Sequence, residues 1–211
     1  MKKVVKFGGS SLASASQFEK VGQIIRSDVN RVYVVPSAPG KRDSKDTKVT
    51  DMLYQCYALA EAGKDFSEVL TKIKERYQEI IDGLSLSLSL QKEFAQIEKD
   101  FVAKAGDNYA ASRGEFLNGK IMAAYLDFEF IDPADYIFFK EDGLLDMAKT
   151  DAVLGAKLAE TPKAVIPGFY GSTPDGKVKT FSRGGSDVTG AIVARAANAD
   201  VYENWTDVSG I

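Results

Sequence analysis

Two glycine-rich segments hold the residues of this chain best suited to handling an anion. One is Lys6-Phe7-Gly8-Gly9-Ser10-Ser11 near the N-terminus; the other is Arg183-Gly184-Gly185-Ser186-Asp187, late in the chain. Each follows a strand-like run and leads into a helix-like one. Backbone without side chains at such a junction lets consecutive N–H groups close round phosphate oxygens, with the positive end of a helix behind them. One segment adds a lysine, the other an arginine and an aspartate, and together they are the components of a phosphoryl-transfer site. Histidine is absent. That excludes imidazole bases, His-based triads and His-ligated zinc. It leaves lysine, arginine, carboxylates, hydroxyls and backbone amides, plus a metal carried in with a ligand. Phosphoryl transfer manages with that set because it depends mostly on positioning and charge neutralisation.

The elements that must position these groups are legible as alternating apolar runs and helical periods. Val4-Val5-Lys6-Phe7 reads as a buried strand, and Phe18, Val21, Ile24 and Ile25 mark one face of a helix. Arg31 to Pro36 (RVYVVP) is the next strand, followed by a polar insertion over 40–48. Thr50 is placed to cap a helix bearing Leu53, Cys56 and Leu59, with Gly63 as its stop. A longer amphipathic helix carries Phe66, Val69, Leu70, Ile73, Tyr77, Ile80 and Ile81. The alternating GLSLSLSL of 83–90 suits a strand in isolation, but helical flanks favour a loop or helix junction there. Helical pattern resumes through Leu90, Phe94, Ile97 and Phe101, and again after Asn108 with Leu117, Ile121 and Met122.

Further along, 128–131 reads as a strand, Thr150 or Asp151 as the cap of a helix ending near Glu160, and AVIP at 164–167 as a strand. Pro174-Asp175-Gly176 signals a turn between two extended segments. A small-residue helix over 188–197, with Asp187 as its default N-cap, precedes a last strand over 201–205. Strand–helix alternation with ligand loops at strand C-termini is the α/β sandwich pattern.

Bulk composition narrows the class. The chain has 211 residues, 45% hydrophobic and 27% charged, which suits one large domain or two small ones with a real core. A net charge of -3 advertises no nucleic-acid-binding face. A single cysteine, Cys56, excludes an internal disulfide framework. No apolar run is long enough to span a bilayer, so a soluble, cytoplasmic protein is expected.

Seven blocks, in order, resemble the amino-acid kinase family, and within it the aspartate kinases. They are KFGGSS at 6–11, PSAPG at 36–40, KVTDML at 48–53, SRGE at 112–115, PGFYGS at 167–172, TFSRGGSD at 180–187 and WTDVSGI at 205–211. The resemblance implies a three-layer α/β/α sandwich and transfer of the ATP γ-phosphoryl group, with Mg2+ carried by the nucleotide, to the side-chain carboxylate of L-aspartate. That reaction opens the route to lysine, threonine and methionine. A glutamate-type acceptor, or a module that binds amino acid or nucleotide without turnover, is the alternative.

By the same resemblance, Lys6 and Asp187 are catalytic, the aspartate holding the lysine in place. Lys6, Gly8, Gly9, Ser10, Thr206 and Asp207 face the nucleotide. Ser37, Thr50, Glu115, Phe169, Thr180, Arg183 and Ser186 surround the amino acid, with Thr47 a rival for Thr50. Arg183 offers a planar fork that pairs bidentately with a carboxylate. Glu115 supplies the negative group that a selective site needs for the substrate ammonium. No protein-held metal is expected. Residues up to about 165 are assigned to the acceptor part and about 166–211 to the start of the nucleotide part. The family's regulatory ACT modules lie outside these residues. The segment is therefore expected to be C-terminally truncated and to turn over little alone, the full-length protein being a homodimer or larger.

Overall fold

The computed structural model describes residues 1–182 and 184–206. Five parallel strands form its centre: β1 (Lys3–Phe7), β2 (Arg31–Pro36), β3 (Glu129–Phe130), β4 (Ala164–Val165) and β7 (Val201–Trp205), in the order β3-β4-β2-β1-β7. Strand β1 is flanked on both sides, pairing Val5 with Val34 of β2 and with Glu203 of β7. Alternation along the strands divides the buried side chains between two cores, as a pleated sheet covered on both faces requires. Val5, Phe7, Val34 and Val165 enter one core, while Val4, Tyr33, Val35, Ala164 and Ile166 enter the other.

The first core is covered by α1 (Ala15–Arg26), α2 (Val49–Glu61), α3 (Ser67–Gly83), α4 (Gln91–Val102) and α5 (Asp107–Leu126). Helix α1 begins at Ser14, whose hydroxyl accepts from the Gln17 N–H, and buries Phe18, Val21 and Ile25. Each such side chain contributes roughly 1.5–3 kcal/mol on burial. The opposite core is covered by α6 (Met147–Ala159) and α7 (Gly185–Ala196). Helices on both faces of a parallel sheet make the three-layer α/β/α sandwich that the sequence implies. An antiparallel hairpin, β5 (Tyr170–Ser172) with β6 (Val178–Thr180), stands apart from the main sheet. Its turn contains the Pro174-Asp175-Gly176 signal, with Gly176 at φ +81. Residues 84–90 connect α3 to α4 as a helix junction.

Three caps differ from expectation. Lys48, not Thr50, is the N-cap residue of α2, so Thr50 lies inside the first turn. Asp146, not Thr150 or Asp151, caps α6 by accepting from the Lys149 N–H. The Thr150 hydroxyl instead accepts from the Phe138 N–H, joining α6 to the preceding loop. Gly184 takes the N-cap position of α7 with φ +57, leaving Asp187 in the first turn with its carboxylate available for another partner.

Candidate active site

The loops that follow β1, β2 and β4 open at the C-terminal edge of the parallel sheet, where ligands bind in open α/β folds. Lys6 points to the α7 side of the sheet, because it is two residues from Val4, which enters that core. Its residue is only 8% exposed, and its Nζ lies 2.7 Å from Oδ1 of Asp187. The first turn of α7 thus meets the end of β1, joining residues 181 positions apart. Asn204 adds its amide, Nδ2 donating to the same Oδ1 at 3.1 Å. The Tyr202 hydroxyl donates to the Asp187 carbonyl at 3.0 Å, fixing the backbone of that turn.

Beside this pair lies a cavity of about 430 Å³ bordered by Gly9, Ser37, Gly40, Lys48, Thr50 and Glu115. Its wall is built by close backbone approach: Gly40 N–H donates to the Gly9 carbonyl at 2.8 Å. A Cβ on Gly40 would lie 2.7 Å from the Gly9 carbonyl carbon, which explains the glycine at the end of PSAPG. Ser10 and Lys41 also border the cavity.

Glu115 is 6% exposed, and its Oε2 has no hydrogen-bond partner among the described residues. Burial pushes its carboxyl up to about 8, opposed by backbone N–H groups, Ala38 among them, and by the nearby Arg113 charge. A buried carboxyl with one oxygen unsatisfied at the wall of a cavity can receive a cationic or hydrogen-bonding ligand. Arg113 does not fill that place. Its guanidinium is surrounded by Tyr109, Phe116 and Tyr170, at 4.6, 4.2 and 5.4 Å from their ring centroids.

Ser37 links the two halves of the site. Its hydroxyl donates to Ser186 Oγ at 2.9 Å, one residue before Asp187. Its carbonyl accepts from Asn118 Nδ2 at 2.7 Å. Asn118 is a positioning residue that sequence reading missed; its place three residues after Glu115, on the same face of α5, was the available signal. Thr50 borders the cavity, whereas Thr47 is exposed and its carbonyl accepts from Arg76.

Phe169 and Thr180 are held nearby but do not border that cavity. Phe169 has φ +88, its N–H donates to Thr189 Oγ1 at 3.0 Å, and its ring covers the place a Gly185 side chain would fill. A non-glycine residue in this region costs about 1–3 kcal/mol and persists where the surroundings over-determine it. The Thr180 N–H and hydroxyl both donate to Asn108 Oδ1 at the start of α5. Thr206 is exposed just beyond β7. Arg183 and Asp207 lie outside the described residues. A second cavity, about 200 Å³ between α3 and α4, is bordered by Lys74, Tyr77 and Phe94 and shares no residue with the glycine loops.

The amino acid kinase family model matches residues 1–211. Aspartokinase 3 of Bacillus subtilis is 40% identical over 99% of the chain and 49% of its own length. Among solved structures, Clostridium acetobutylicum aspartate kinase is 53% identical with a TM-score of 0.96, over 99% of this chain and 48% of that one. Escherichia coli aspartokinase III, solved with aspartate and ADP, is 26% identical with a TM-score of 0.84, over 100% of this chain and 50% of that one. The chain thus spans about half the length of the relatives it matches. With a parallel sheet between two helical layers and paired glycine loops at its C-terminal edge, the chain belongs to the amino acid kinase family.

Proposed function

We propose that this chain forms the acceptor side and part of the nucleotide side of an ATP-dependent aspartate kinase. The observation that carries the reading is the buried Glu115 carboxyl, its Oε2 without a hydrogen-bond partner among the described residues, in a cavity joined through Ser37 and Ser186 to the Lys6–Asp187 pair. Aspartate carries two carboxylates and one ammonium. Glu115 takes the ammonium, Thr50 and Ser37 donate hydroxyls, and Arg183 takes a carboxylate. The aspartate-and-ADP complex of the Escherichia coli enzyme supports the choice of ligands.

In the reaction, a side-chain carboxylate oxygen of aspartate attacks the γ-phosphorus, the bond from that phosphorus to the β,γ-bridging oxygen breaks, and ADP leaves. The nucleophile is already ionised at neutral pH, so no general base is needed, in keeping with a chain that lacks histidine. Lys6 neutralises charge on the transferring group, held in place by Asp187, while backbone N–H groups at Gly8 and Gly9 line the phosphate path. Mg2+ enters as part of the nucleotide complex and screens its phosphates. Thr206 and Asp207 contact the nucleotide. Residues up to about 165 serve mainly the acceptor and those from about 166 begin the nucleotide part. The whole protein works in the cytoplasm as a homodimer or larger assembly.

The test is hydroxylamine trapping of the acyl phosphate in a hybrid that joins this chain to the C-terminal half of the Bacillus subtilis relative. L-Aspartate and Mg-ATP should yield the hydroxamate, and Lys6→Met should lower the yield by about 10²–10³-fold. Equal yields from the two proteins would reject the assignment.

A further inference from the structure

One buried guanidinium outside the site ties the turn after the first glycine loop to the segment that follows PSAPG. Arg76 lies on α3 and is 4% exposed. Its Nη2 donates to the Ala13 carbonyl at 3.3 Å and to the Gly40 carbonyl at 3.0 Å. Its Nη1 donates to the Thr47 carbonyl at 3.3 Å and to Oδ2 of Asp46 at 3.1 Å. Ala13 ends the short helical turn that follows the first glycine loop; Gly40 and Thr47 lie near the two ends of the 40–48 segment. A planar fork with fixed donor directions suits the joining of separate backbone segments, which a lysine ammonium does less well.

Segment 40–48 otherwise has little to hold it. It contains no helix or strand, and Lys41, Arg42, Asp43, Ser44 and Lys45 are exposed. Apart from the Gly40 N–H bond to the Gly9 carbonyl, its remaining side-chain ties run mainly through Asp46. That carboxylate accepts from Arg42 and from its neighbour Thr47, and the neighbouring guanidiniums hold it well below the usual carboxylate range. Arg42 also reaches Glu79 of α3 at 2.8 Å. The segment in turn carries Gly40, Lys41 and Lys48 to the border of the acceptor cavity. Neither Lys41 nor Lys48 has an ion-pair partner among the described residues, and both border the cavity that Glu115 lines.

We infer that Arg76, acting through Asp46 and the three carbonyls, is a positioning residue that clamps the 40–48 strap and thereby presents Lys41 and Lys48 to a dicarboxylate acceptor. The clamp itself stands on its own contacts; its consequence for the acceptor rests on the function proposed above.

Two readouts separate these. Trypsin cuts after Lys41, Arg42, Lys45 and Lys48, so cleavage within the strap reports the clamp directly. Calorimetry with L-aspartate reports the cavity. Arg76→Lys and Asp46→Asn are each expected to speed strap cleavage at least tenfold and to weaken L-aspartate at least tenfold. Lys72→Ala, which changes only an exposed pair on the same helix, should leave both unchanged. Asp46→Asn keeps the buried arginine, so it remains informative if Arg76→Lys fails to fold. Unchanged cleavage in Asp46→Asn, with melting temperature retained, would overturn the clamp. Faster cleavage with unchanged L-aspartate affinity would overturn the positioning role. Wild-type chain that binds no L-aspartate would instead reject the acceptor assignment and leave the clamp to the trypsin result.

Discussion

Lys6 and Asn204 occupy the same rung of the β1–β7 ladder, and both reach Oδ1 of Asp187. Parallel pairing puts their side chains on one face, towards the first turn of α7. The carboxylate is therefore held by a charge from one strand and an amide from the next, which leaves it little freedom to pull the lysine away from an incoming phosphate.

That arrangement predicts unequal losses. Lys6→Met should weaken Mg-ADP binding by about 10–100-fold, the range for a charge-assisted hydrogen bond to a ligand. Asn204→Ala should weaken it only a few-fold, because Lys6 still holds Asp187. Quenching of Trp205, the sole tryptophan and adjacent to Thr206, provides the readout. Equal losses from the two variants would contradict the hierarchy.

Glycines 8 and 9 should respond differently to alanine. Among the described residues, a Cβ on Gly8 would meet only the Lys6 Nζ at 3.8 Å and the Trp205 carbonyl at 4.0 Å, which are ordinary contacts. It would nonetheless stand beside the ammonium that the proposed site offers to a phosphate. Gly8→Ala should keep its melting temperature and lose nucleotide affinity. A Cβ on Gly9 would lie 2.9 Å from the Ala38 carbonyl and 3.2 Å from the Gly40 nitrogen. Backbone cannot easily give way, so Gly9→Ala should cost about 1–3 kcal/mol in denaturant unfolding.

The Glu115 carboxyl makes stability and binding depend on pH with opposite signs. Its ordinary value of 4.5 is raised to about 8 by burial. The folded state therefore holds a proton that the unfolded chain has released, and this group's contribution to stability falls as pH rises from about 4.5 to about 8. Glu115→Gln should remove that slope in urea melts. Ammonium binding favours the ionised carboxylate, so L-aspartate affinity should rise with pH by up to about tenfold per unit below pH 8. Titrations in buffers of different ionisation enthalpy should show up to one proton released per ligand at neutral pH.

Much of this was readable from residue types, and the exceptions have physical causes. The glycine loops, the strands that precede them and the junction at 84–90 follow from local pattern, because each is set by neighbours in sequence. Burial of Glu115 was not visible locally. Helix α5 buries residues around most of its circumference, from Ala110 to Leu126, so no polar face distinguishes position 115. Asn118, Asn204 and Arg76 act through contacts spanning 81, 17 and up to 63 positions; of the three, only Asn118 had a local signal, its place three residues after Glu115. The misplaced caps share one cause: Thr50, Thr150 and Asp187 are good capping types, but their side chains face the cavity, the Phe138 N–H and Lys6, while other residues take the helix starts.

The most direct measurement is a calorimetric comparison of L-aspartate with N-acetylaspartate on the wild-type chain and on Glu115→Gln. A preference for L-aspartate of at least tenfold that disappears in Glu115→Gln is the expected result. Equal affinity for the two ligands on the wild-type chain would show that the buried carboxyl does not receive an ammonium, contradicting the acceptor site proposed here.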